Sequence, residues 1–292
     1  MDELNLNQAN KCEKIVKTAG GKGINVSKVL KILEADILAT GFLGGENGKY
    51  IEKELNKTVM STNFVTINGD TRSSLSICHG NQITEIRETG PFVDDKSKNE
   101  LISILERNVN NVDVICCSGS LPKGLDINFL KDLLEITKDK KFVLDASGDN
   151  LRKIVLEAEI KPYAIKPNID EIKDIFPKIS DMSHIEILKL EELKNIPIVI
   201  ISLGKDGCVA KFNDNFYRCD VPKINAINPV GSGDSSIAGL CYAIQNNYSD
   251  DQTLKLSMAL GVLNALEEEV GYVNITRLNE TINMIKVEKY EF

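Results

Sequence analysis

Nowhere in its 292 residues does the chain hold a run of about 18 apolar residues, the length a membrane-crossing helix needs, although 42% of it is hydrophobic and its mean hydropathy is −0.14. No membrane partner is expected. Positive charge is also short: 35 Lys and Arg against 43 Asp and Glu give a net charge of −8 and a pI near 5.1. Nucleic-acid affinity comes mainly from phosphate neutralisation by Lys and Arg, so no nucleic-acid partner is expected, while small anions remain open to local cationic pockets. The seven cysteines, Cys12, Cys78, Cys116, Cys117, Cys208, Cys219 and Cys241, are odd in number and scattered, with no C-x-x-C pair. That excludes a disulfide framework or a zinc site and suits a reducing cytoplasm. The start, MDELNLNQANK, is polar and acidic where a signal peptide would be basic and then apolar, so export is not expected. His79 and His184 have no partners at ligand or triad spacing, and no internal repeat, low-complexity tract or Pro/Ser-rich linker divides the chain. The length suits one large α/β unit with a small appendage, a single domain over 1–292.

What is present has the rhythm of a parallel sheet. Short, nearly unbroken apolar runs at 112–120, 141–148, 163–168 and 197–204 alternate with amphipathic stretches such as LISILERNV (101–109) and NFLKDLLEITK (128–138). Strands covered on both faces read this way, joined by right-handed crossover helices. The expected architecture is a doubly wound three-layer α/β/α sandwich. Residues 71–90 differ: two alternating runs flank His79-Gly80-Asn81-Gln82, which predicts an antiparallel hairpin serving as a flap. Residues 10–18 alternate imperfectly and are expected to add a strand to it, giving lid segments at about 8–18 and 70–90. From Asp251 to Phe292 the pattern is helical.

Chemistry concentrates where glycines meet helix starts. In INPVGSGDSSIAGLCYAI (227–244), Gly231, Ser232, Gly233 and Asp234 open a helix whose first free N–H groups suit an anion. Asp234 either caps that helix or takes the proton of a substrate hydroxyl beside the anion hole; the local pattern leaves both open. The segment is neither a dinucleotide fingerprint, because Ser236 stands at the third glycine position, nor a P-loop, because no Gly-Lys-Ser/Thr follows. In TAGGKGINVSKVLKIL (18–33), Gly20, Gly21 and Gly23 precede another helix, either as a packing turn or so that Gly21, Lys22 and Asn25 can bind sugar hydroxyls. IKPNIDEI (165–172) ends a strand at Lys166 and brings Asn168 and Glu171 onto one helical turn at the carboxyl edge of the sheet, where open α/β folds bind ligands. Its acids either favour the helix terminus or help hold Mg²⁺ with nucleotide phosphates. Ser202, Gly204 and Gly207 form a further strand-to-turn segment. Arg72 and Arg87, near opposite ends of the hairpin segment, are solvated charges or phosphate-binding guanidinium forks.

Taken in order and spacing, GGKGINV, SGSLPKG (118–124), IKPNIDE, SLGKDG and NPVGSGDSSIAG resemble the ribokinase-like PfkB carbohydrate kinases over nearly the whole chain. TEIRETGP (84–91), NPVGSGDS (228–235) and GVLNALEEEVGYVN (261–274) are most similar to the tagatose-6-phosphate kinase branch, close to the 1-phosphofructokinases. The resemblance implies a ribokinase-like α/β/α sandwich with a β-sheet lid, often a dimer interface, and in-line phosphoryl transfer from ATP with Mg²⁺. It implies Asp234 as base, with the Gly231, Ser232 and Gly233 backbone as anion hole. Lys166, Asn168, Glu171, Ser202, Gly204, Gly207 and Asn264 fall on the nucleotide side, with Glu171 on Mg²⁺ through water and Asn264 beside the adenine. Gly21, Lys22, Asn25, Arg72 and Ser120 fall on the sugar phosphate, with Arg87 assisting from the lid. The implied reaction converts tagatose 6-phosphate to tagatose 1,6-bisphosphate; fructose 1-phosphate as substrate, or a non-catalytic binding protein, are the alternatives. Met1-Asp2-Glu3-Leu4 aligns just after the short apolar strand and sugar-binding aspartate with which such kinases begin, so either the start codon is miscalled or the chain is truncated with a gap in its sheet, and reduced stability and weakened sugar binding are expected.

Overall fold

The computed structural model describes residues 3–79 and 82–291. In chain order it runs through α1 (Lys22–Ile32), β1 (Leu38–Leu43), α2 (Gly45–Asn56) and β2 (Ser61–Thr66), then the hairpin strands β3 (Ser74–His79) and β4 (Gln82–Arg87). The middle alternates α3 (Asp95–Asn108), β5 (Val114–Ser118), α4 (Ile127–Ile136), β6 (Lys141–Asp145), α5 (Gly148–Glu157), β7 (Ala164–Ile165), α6 (Ile169–Ile175), α7 (His184–Leu188) and β8 (Ile198–Ser202). The last third holds β9 (Cys208–Phe212), β10 (Asn215–Asp220), α8 (Ser232–Gln245), α9 (Asp250–Ala265), α10 (Leu278–Met284) and β11 (Lys286–Lys289).

Seven strands form one sheet in the order β11-β10-β9-β8-β7-β6-β5. From β5 to β8 they are parallel, and Val143, Leu144 and Ile198 to Ile201 are buried, as a sheet covered on both faces requires. One covering layer places Leu101 and Ile104 of α3, Phe129, Leu130, Leu133 and Leu134 of α4 and Leu151, Ile154 and Val155 of α5 against the sheet; the other is built on α1, α8 and α9. The three-layer expectation holds. Side chains fix where helices begin: Asp94 accepts from Ser97 N–H at the start of α3, Asp126 from Asn128 N–H at α4, and Ser249 with Gln252 makes a reciprocal capping box at α9.

Two elements differ from expectation. Residues 10–18 form no strand: the segment is exposed, with Ile15 at 83%, and is held by side-chain contacts such as Tyr50 Oη to the Lys17 carbonyl. The C-terminal stretch is not wholly helical, because β11 pairs antiparallel with β10 through Val287 opposite Cys219. The antiparallel pair β9–β10 turns at Asn213, whose φ of 50° is a left-handed conformation that asparagine tolerates. The hairpin β3–β4 is present, with its turn residues Gly80 and Asn81 outside the described residues.

β1 and β2 pair in parallel with each other and, among the described residues, share no ladder with β5, which is the last strand of the large sheet. Yet both sheets share their covering layers. α1 packs on β1 and on β5, and the core that contains Val65 of β2 and borders Phe42 of β1 runs on beneath β5 and β6. The expected gap is therefore present, as a break in a single layer.

α8 and α9 form the most intimate helix pair, both buried on nearly all sides. A Cβ at Gly239 would lie 2.8 Å from the Ser257 Cα and 3.0 Å from the Leu256 carbonyl oxygen. Backbone cannot yield as a flexible side chain does, so Gly239→Val should destabilise the fold by about 2–3 kcal/mol, read as a lower urea midpoint.

Candidate active site

The carboxyl edge of the parallel strands gathers most of the polar residues singled out in the sequence. Gly21 precedes α1 with φ 111°, and the first turns of that helix carry Lys22 and the buried Asn25. Gly231, with φ 84°, precedes α8, whose first turn carries Asp234. The two helix starts meet: Asn25 Nδ2 donates to Asp234 Oδ2 at 2.7 Å, while Asn25 Oδ1 is buried without a partner. This separates the two readings of Asp234. It is not a helix cap; its side chain points away from its own backbone into the space between α1 and α8.

Asp234 is 7% exposed, and burial pushes its carboxyl up from 3.8 to about 6. The Asn25 hydrogen bond opposes that shift, the Asp145 charge adds to it, and Lys22 and Lys166 oppose it. A carboxylate so poised is ionised at neutral pH yet basic enough to take a proton. Beside it, the amides of Gly233 and Asp234 lie in the turn where a helix has no carbonyl of its own to offer, and Lys166 Nζ sits 3.8 Å from where a Cβ on Gly233 would stand. The buried Lys166 thus stands beside the free amides of that helix start.

Arg72 donates to Ser120 Oγ at 3.1 Å, joining two residues expected from the sequence to hold the sugar phosphate. Arg72 and Arg87 are not at opposite ends of the folded hairpin: Ser74 pairs with Arg87, so both arginines lie at its base. A hairpin brings the first and last residues of its sequence together. Arg87 is largely exposed and ion-paired with Glu85, so within one chain it is not joined to Arg72 or Ser120.

The predicted nucleotide side divides. Asn168 caps α6 by accepting from the Asp170 and Glu171 amides at 2.9 Å, and Glu171 returns a bond by accepting from Asn168 N–H at 2.8 Å. The structural reading of N-x-x-E is therefore realised in full, with one carboxylate oxygen of Glu171 outside that bond. Among the described residues no cluster of three His, Cys, Asp or Glu could cage a metal. One carboxylate acting through water with nucleotide phosphates is the way such a donor set fits Mg²⁺. Ser202 lies alongside, donating its N–H to the Pro167 carbonyl at 2.9 Å, and Gly204 and Gly207 turn the chain away with φ of 60° and 80°.

Asn264 requires correction. It is 1% exposed and bonded inward: its Oδ1 accepts from Ser235 Oγ and Gly271 N–H, and its Nδ2 donates to the Val230 carbonyl. It clamps the glycine loop instead of facing an adenine. Gly271 completes this clamp, since a Cβ there would press within 3.0 Å of the Asn25 Cα. One further residue escaped the sequence reading. Asp145, at the end of β6, accepts from Ser118 Oγ at 2.6 Å and pairs with Lys22 at 3.3 Å. An acid at the carboxyl end of a parallel strand was the available signal.

A family model described as pfkB family carbohydrate kinase matches residues 1–277. The chain belongs to that family. Tagatose-6-phosphate kinases of two Staphylococcus epidermidis strains are each 38% identical over 292 residues, covering 98% of this chain and 94% of theirs. A Thermotoga maritima structure described as a possible 1-phosphofructokinase superposes with TM-score 0.88 at 24% identity, covering 100% of this chain and 95% of its own. Phosphofructokinase-2 from Escherichia coli, solved with substrates and products, gives TM-score 0.84 at 20% identity, with 97% and 93% covered. The fold is ribokinase-like, and the chain is a phosphotransferase of the class that acts on an alcohol acceptor. Among the described residues no helix is long and apolar enough to cross a membrane.

Burial of Asp234 has a cost that can be measured. Its unfolded carboxyl titrates near 3.8 and its folded one about 6, so stability is full below the former and is lost as pH rises through the latter. The loss approaches roughly 3 kcal/mol above that range. Asp234→Asn should therefore raise the melting temperature at pH 8, and the gain should vanish below about pH 4 in thermal melts across pH.

Proposed function

We propose that this kinase transfers the γ-phosphoryl group of ATP to the 1-hydroxyl of D-tagatose 6-phosphate, forming D-tagatose 1,6-bisphosphate and ADP. The observation that carries the reading is Asp234: a buried carboxylate, raised to about 6, at a helix start beside Lys166. Asp234 takes the hydroxyl proton as that oxygen bonds phosphorus and the bond to ADP breaks. The proton then leaves to water. The Gly233 and Asp234 amides and Lys166 hold the charge of the phosphoryl group in flight. Gly231, with Ser232 and the Asn264 clamp, keeps those amides in place. Arg72 and Ser120 grip the 6-phosphate, while Gly21, Lys22 and Asn25 line the sugar. On the nucleotide side, Ser202, Gly204 and Gly207 border the base and ribose, and Glu171, next to Asn168, would hold Mg²⁺ through water; bound Mg²⁺ supplies charge neutralisation between the phosphates. The choice of sugar follows the 38% identical relatives. Fructose 1-phosphate is the second reading, favoured by the overlap with the Thermotoga structure. A cytoplasmic setting fits seven cysteines that form no disulfide among the described residues. A homodimer through the lid is supported by Leu75 and Ile86, which are paired across the hairpin and 53% and 56% exposed.

A coupled ADP-release assay with both sugars tests the substrate, and turnover on neither would refute both readings. Asp234→Asn should lower kcat by about 10³-fold or more while ATP affinity stays within about twofold. In the native chain, kcat/KM should fall as pH drops through about 6, because protonation removes the base. Arg72→Ala should raise KM for the sugar phosphate by about tenfold or more and leave KM for ATP unchanged.

A further inference from the structure

Asp145 is nowhere used in the reaction as described, yet it is among the most constrained groups at the sheet edge. It is 8% exposed, and both of its carboxylate oxygens are engaged: Ser118 Oγ donates to Oδ2 at 2.6 Å, and Lys22 Nζ lies 3.4 Å from Oδ1 and 3.3 Å from Oδ2. Its backbone is fixed as well, because the Asp145 carbonyl accepts from Gly119 N–H at 3.0 Å. The Ser118 to Ser120 turn is thus tied to Asp145 at one end and to Arg72 at the other. Lys22, by contrast, keeps 40% of its side chain exposed, so it is a cation anchored on its buried side and open on the other.

The geometry points to Asp145 as a positioning residue for phosphoryl transfer: held by Ser118, it aims Lys22 into the sugar side of the site and sets the charge balance around Asp234. The inference rests on Asp234 being the base. Four groups face that carboxylate: Asn25 and Lys22 from α1, Asp145 from the end of β6 and Lys166 from the end of β7. Asp145 alone among them is negative. It counteracts the two lysines, which would otherwise make Asp234 a weaker base. Burial and the same negative charge push the neighbouring Cys117 thiol up to about 12, so the field of Asp145 reaches beyond its ion pair. Lys22 and Asp145 therefore act on Asp234 with opposite sign through one shared contact.

The test follows two quantities in the full chain: the Asp234 carboxyl titration by ¹³C NMR, and the acid limb of kcat/KM for tagatose 6-phosphate at saturating MgATP. Asp145→Asn should move both to lower pH, and Lys22→Gln should move both to higher pH, each by about half a unit or more. Both variants should raise KM for the sugar phosphate about fivefold or more, with KM for MgATP held within about twofold. A residue that merely supports the fold would not give shifts of opposite sign. Lys22 lies outside the hydrophobic core, so Lys22→Gln carries the test if Asp145→Asn does not fold. An Asp234 titration unmoved in the folded variants, or moved the same way by both, overturns the inference. Failure of the base assignment looks different: the native acid limb would not track the native Asp234 titration.

Discussion

Asn25 and Asp234 are 209 residues apart in sequence and 2.7 Å apart in the fold, and the site is built around that one hydrogen bond. It fixes where the starts of α1 and α8 meet, and therefore where Lys22 on α1 and the first free amides of α8 stand relative to each other. The bond is affordable only because each helix is held from behind. α8 is pressed on α9 through Gly239, and its leading loop is clamped by Asn264; α1 lies across β5 and β1. Remove the packing and a buried carboxylate has no reason to stay out of water.

The electrostatics of the site are a balance of large opposing effects. Burial drives Asp234 toward the neutral form, and two lysines and an amide draw it back toward the charged one. The net result is a group that titrates close to physiological pH and weakens the folded state where it is most useful chemically. A fold that tolerates this must take its stability elsewhere, and here it comes from the two apolar layers on either side of the parallel strands.

The strands, the crossover helices and the glycine-marked helix starts were legible because each is a local pattern of a few residues: Ile198 to Ser202, or Gly231 to Asp234. The capping box of Asn168 and Glu171 was legible for the same reason. What the sequence did not yield was long-range pairing. Asp145 looked like the polar end of a strand until Ser118 and Lys22 were found against it. Asn264 shared a helix with ordinary core residues, and only its contacts with Val230, Ser235 and Gly271 distinguish clamp from ligand contact. Residues 10–18 alternate like a strand, but in the fold they are exposed and held by side-chain contacts, not by a ladder.

The break between β1 and β5 runs beneath α1, and α1 rests on both sides of it. Asp145 and Asp234 are rooted in the larger plate, whereas the helix that brings Lys22 and Asn25 to them straddles the fault line. Shear of one plate against the other would reach the Lys22–Asp145 and Asn25–Asp234 contacts as movement of one ammonium and one amide, carried by a single eleven-residue strut.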